Sequence, residues 1–144
     1  MNVRAIADAL AASFGTLTVN GETATATPLL PNVISRVALL VYPPEGDFDY
    51  AASGIRTGEL TYMVRLLRDP TDVPTRTDAL YDWHAAIWDR IETNIDLDLT
   101  YVDTALSSTT RIRIDGERYA GSLYDVAEIG VTVRIFEAVP GLAL

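Results

Sequence analysis

The sequence predicts an α+β domain: an antiparallel or mixed β-sheet with two helices packed on one face. Three observations carry this. First, residues 72–95 (DVPTRTDALYDWHAAIWDRIETNI) put Leu80, Trp83, Ile87 and Ile91 on one helical face. Asp78, Asp82, Asp89 and Glu92 fall on the opposite face. Second, residues 59–67 and 124–136 alternate apolar and polar positions, the period of a half-buried strand. Third, helix and strand patterns follow one another without an internal repeat or a linker, and 144 residues suit a single domain spanning positions 1–144.

Taken in order, Asn2 is placed to cap a helix that runs to Phe14, with Val3, Ile6, Leu10 and Phe14 as its apolar stripe and Gly15 at the C-cap position. Ala5, Ala9 and Ala12 lie on the other side. They are good helix formers, and small enough for a second surface to approach closely, which makes them candidate subunit contacts. Residues 17–19 read as a short strand and Asn20-Gly21 as a hairpin turn. Residues 23–35, rich in Thr and Pro, read as irregular. Residues 36–42 (RVALLVY) are a buried strand ended by Pro43-Pro44.

Residues 43–54 (PPEGDFDYAASG) read as a loop, because Gly46 and the two prolines disfavour a strand. Asp47, Phe48 and Tyr50 in it are candidate partner contacts, since large aromatics are poorly placed idle in solvent. After the long helix, residues 97–106 read as a strand and 107–110 as a polar loop. Residues 111–119 read as a hairpin closed by Asp115-Gly116. The final strand of residues 124–136 runs into a short apolar segment, which is expected to be loose unless a partner holds it.

Composition excludes several chemistries. With no cysteine there is no disulfide, thiol nucleophile or Cys-based metal site, and a single histidine, His84, cannot supply an ordinary zinc site. No phosphate-binding glycine motif is present, and no apolar run reaches membrane-spanning length. No cofactor is expected. Net charge is −9, with 20 acidic residues against 11 basic ones, so gripping nucleic acid is not expected. Asp47 with Asp49, or Asp78 with Asp82, could be imagined as a catalytic carboxylate pair. Exposed acids are more commonly a solvated surface. Trp88 is rotated off the apolar stripe and is either a contact residue or a partly covered side chain.

Beyond these residues, the order of parts resembles a known family. A helix of the type VRAIADAL opens the chain, followed by ALLVYPPEGDFDY, GELTYMVRLLRD, the helix TDALYDWHAAIWDRI, and the closing strand YDVAEIGVTVRIFE. This texture is similar to the tail terminator family of long-tailed bacteriophages and prophages. The resemblance implies a virion protein without enzymatic activity, assembled in the host cytoplasm and located at the head-proximal end of the tail. It implies a ring, commonly hexameric, that ends tail-tube polymerisation and presents the surface for head joining. Its partners would be further copies of itself, the major tail tube protein and a head–tail connector or stopper, with DNA passing through unbound. The acids Asp78, Asp82, Asp89 and Glu92 are then candidate channel-facing residues. The alternatives are another neck protein, such as a connector or stopper, or a small acidic enzyme or ligand-binding domain.

Overall fold

A computed structural model describes residues 2–34, 36–51, 54–70, 73–91 and 97–138, the side chains of residues 48–51, 73 and 74 excepted. Helix α1 (Val3–Phe14) leads into β1 (Thr16–Val19), β2 (Glu22–Thr27), β3 (Val37–Val41), β4 (Glu45–Ala51) and β5 (Ile55–Arg68). Helix α2 (Val73–Ile91) then precedes β6 (Val102–Tyr119) and β7 (Ser122–Ala138). The seven strands form one mixed sheet in the order β1-β2-β3-β5-β7-β6, and β4 pairs with the outer half of β5. Every pairing is antiparallel except β2 with β3.

Both helices lie on one face, as the apolar periodicity requires. Asn2 caps α1 by accepting the Ala5 N–H at 3.1 Å, and Gly15 ends it at φ 61°, where a side chain would be strained. Ile6, Leu10 and Phe14 of α1 and Leu80, Trp83, Ile87 and Ile91 of α2 are buried against Leu60, Tyr62, Val64 and Leu66 of β5 and Ile129, Val131, Val133 and Ile135 of β7. Val3, placed on the α1 stripe by spacing, is 38% exposed. Asn20-Gly21 makes the β1–β2 turn with both residues at positive φ.

The structure corrects five readings. Residues 23–35 are not irregular throughout: β2 occupies Glu22–Thr27, its Ala24 and Ala26 packing under the helices. Residues 45–51 are a strand, not a loop. Gly46 permits it, because a Cβ there would overlap the Glu59 carbonyl, so the weak strand former is the residue this close pairing needs. Residues 97–101 are not strand, since Leu97 and Asp98 sit at positive φ and pairing starts at Val102. Residues 107–110 are not a loop but belong to β6, which accommodates them with a bulge between Ser107 and Thr109. Asp115-Gly116 does not close a hairpin. It lies in the third register irregularity of β6, between Arg113 and Glu117, and the β6–β7 turn is Ala120-Gly121, with φ of 50° and 87°. A Cβ on Gly116 would lie 2.7 Å from Val126 Cγ1 and 2.6 Å from Arg113 Cβ, so that irregularity needs glycine. Residues 92–95, the expected last turn of the long helix, lie outside the described residues.

Candidate functional site

The parallel β2–β3 pair demands a crossover, and it runs over the sheet face opposite the helices. Tyr119 donates its hydroxyl hydrogen to the Pro31 carbonyl, and Ile34 joins Leu40, Leu67, Tyr124 and Val126 in a small second core. Pro31 and Ile34 thus cover one end of this face. The rest of the face has no covering layer among the described residues.

Its centre is polar but tightly paired. Register puts Glu128 of β7 directly opposite Arg65 of β5 and Arg111 of β6, at 2.5 and 3.0 Å, and the carboxylate is 3% exposed. The Arg65 guanidinium also lies 4.4 Å from the centre of the Tyr42 ring. Burial pushes the Tyr42 phenol above its ordinary pKa. Arg65 is held above its ordinary value despite its own desolvation, through Glu128 and Glu117.

Outward from this centre the face becomes acidic. Glu45, Asp47 and Glu59 are exposed, Asp47 pairing directly across from Glu59, where like charges repel. Arg134 reaches Glu59 at 3.1 Å. Phe136 and Leu106 stand beside this surface, 56% and 53% exposed. Two shallow clefts open here, of about 320 Å³ between Tyr42, Glu45, Thr61, Met63 and Arg65 and about 310 Å³ between Glu45, Asp47 and Glu59. Among the described residues no group of three or more His, Asp or Glu side chains could hold a metal ion. This arrangement can make a broad, partly charged contact.

The residues singled out by sequence do not converge. Ala5 and Ala9 are half-buried, Ala9 against the edge of the main core, and Ala12 is exposed. Asp47 is on the acidic sheet face. Phe48 and Tyr50 pair through their backbones with Gly58 and Arg56, their side chains lying outside the described set. Trp88 is half-buried in a cleft of about 220 Å³ with Ala105, Leu106 and Ser107, tilted against His84 at 5.8 Å. His84 contacts the Thr110 hydroxyl, and burial lowers its pKa. Asp78, Asp82 and Asp89 are exposed on α2, with Asp82 accepting a 2.8 Å hydrogen bond from Asn20 Nδ2. Glu92 lies outside the described residues. The molecule therefore carries acids on two opposite surfaces, the outer side of α2 and the uncovered sheet face.

Sequence reasoning missed the buried charges. Under the start of α2, Glu22 joins Arg68 at 2.8 Å and Arg36 at 3.1 Å, and Asp125 joins Arg76 at 2.5 Å while accepting the Asp115 N–H at 2.9 Å. Burial pushes both carboxyls up, but the guanidiniums outweigh it and hold both below the usual carboxylate range. The signal was present as isolated charges, but their partners come from tertiary structure: register sets Arg65 beside Glu128, while Arg68 meets Glu22 of β2 and Asp125 meets Arg76 of α2.

No family model and no curated protein matches the chain. Among the described residues no helix is long and apolar enough to cross a membrane.

Proposed function

We propose that this protein is a tail terminator: a virion subunit that assembles as a ring, six copies in the family it resembles, on the head-proximal end of a phage tail tube. The ring ends tube polymerisation and offers the surface to which the head joins. One observation carries the reading beyond the order of elements. A two-layer domain leaves one sheet face without a second layer, and here, among the described residues, the β4–β5–β7–β6 half of that face is uncovered and borders exposed apolar side chains. Among the described residues nothing pairs with the outer edges of β4 and β6. Open edges and Phe136 and Leu106 at the surface favour a chain that is completed by neighbours. A net charge of −9 suits a channel through which DNA moves without adhering.

The experiment is electron microscopy of the purified protein mixed with polymerising tail tubes. Rings that cap one tube end and hold tube length constant are expected. Tubes that elongate unchanged, with no cap, would end this reading. Rings found on heads rather than on tubes would move the assignment to the connector or stopper alternative.

A further inference from the structure

An apolar groove lies at the sheet edge, separate from the acidic face. Val3 of α1, Pro28 and Leu29 of the crossover, Val41, Pro43 and Pro44 line about 240 Å³, and Val3 and Leu29 are 38% and 61% exposed. The charged residue in the lining, Arg4, turns to Asp8 at 3.5 Å. The volume is below the roughly 300–1,000 Å³ of a small-molecule pocket and suits a few aliphatic side chains. The chain itself supplies such a segment: residues 139–144 read VPGLAL and carry no charged side chain.

We propose that residues 139–144 of one copy fill this groove on a neighbouring copy. Strand register decides between the chain's own segment and a neighbour's. Ala138 pairs with Ile55, which also pairs with Ala51, so β7 runs outward and ends at the tip of the β4–β5–β7 arm. The groove is at the other end of β4, beside Pro44. Returning along β4 takes about 20 Å, at roughly 3.4 Å per residue, after crossing two strand spacings of about 4.8 Å each. Six residues span at most about 20 Å when fully extended. The chain's own segment would spend its whole length reversing and arrive with nothing left to bury. A segment that leaves the tip outward meets a neighbour without reversing. The proposal rests on the ring reading for the presence of that neighbour.

The test uses the full chain, a chain lacking residues 139–144, the variant Leu29→Asp, and a labelled peptide of residues 137–144. Leu29 is exposed, so the aspartate disturbs the groove and not the core; circular dichroism checks this. The peptide is expected to bind the truncated chain at least about tenfold more tightly than the Leu29→Asp chain, the weakening that corresponds to about 1.4 kcal/mol. Sedimentation is expected to show that each variant alone associates less than the full chain, while mixing them yields 1:1 pairs, since each supplies what the other lacks. Equal peptide binding to the Leu29→Asp chain, or none at millimolar peptide, overturns the proposal. So does association lost in Leu29→Asp but kept in the truncated chain, which would put another segment in the groove. Tube-capping rings formed by the truncated chain would overturn this docking and leave the ring reading standing. Peptide docking without rings would do the reverse.

Discussion

At the residue scale, stability rests on one large apolar side chain and on paired buried charges. Trp83 is fully buried beneath α2, and its indole N–H has no hydrogen bond of ordinary length, the Glu22 carboxylate being the group it approaches. Trp83→Ala removes far more apolar contact than polar contact and is expected to cost about 3–5 kcal/mol in urea unfolding. A loss under about 1 kcal/mol would place the helix with its other face inward. Glu22 and Asp125 set the acid limit. Their folded pKa values lie below the unfolded ones, so their stabilisation is fully present above the unfolded carboxylate range of roughly 4 and is lost as pH falls through the folded values. The urea midpoint should fall steeply between about pH 4 and pH 2 and change less in Asp125→Asn, which no longer titrates there. His84 adds a smaller step of the same sign. Burial lowers its folded pKa, so protonation favours the unfolded chain as pH drops below roughly 6.5.

At the element scale, the helices and the β4 arm differ in what holds them. Helix α2 is held by an apolar face against β6 and β7, whereas neither helix packs substantially on β4, which depends on its ladder with β5. Amide exchange in the free protein should therefore be slowest in the middle of β5 and β7, which are paired on both sides, and faster in β4, with its one paired side. Equal protection in all three would mean that β4 is covered in the free protein. Gly46→Ala tests the same arm, because its Cβ would overlap the backbone of β5 at Glu59. A cost of about 1–3 kcal/mol is expected, with β4 exchange accelerated and α2 unchanged.

At the scale of the whole molecule, the two acidic surfaces face opposite ways, so in the ring we propose one orientation can turn only one of them to the channel. If α2 lines it, changing Asp78, Asp82 and Asp89 to Asn should leave tails assembling normally while DNA ejection slows at low salt. If the sheet face lines it, the same phenotype should follow instead from changing Glu45, Asp47 and Glu59 to their amides. Normal ejection at every ionic strength in both sets would mean that neither surface meets DNA. The free protein should not retard duplex DNA in a gel near physiological salt, because 11 basic residues among 20 acidic ones offer little counterion release. Micromolar binding would contradict that.

The parts legible in the sequence are those whose pattern is local. Helical spacing identified the buried faces of α1 and α2, Asn2 and Gly15 marked the ends of α1, and strict alternation located the inner half of β5 and most of β7. The α+β class followed from their order. Tertiary structure decided what depends on a distant partner. Thr-rich β2 is a strand because β1 and β3 flank it, and β4 is a strand because β5 is long enough to template it past Gly46 and two prolines. Asp115-Gly116 has the local signature of a turn, yet a continuing ladder with β7 and the pull of Asp125 on the Asp115 N–H make it an irregularity within β6. The buried ion pairs were illegible for the same reason. A lone Arg or Glu in a strand reads as solvent-facing until the register sets its opposite charge beside it, and desolvation is offset only then. The candidate surfaces followed this division. The acids of α2 could be read from one helical wheel, while the acidic sheet face and the apolar groove exist only where segments far apart in sequence are brought together.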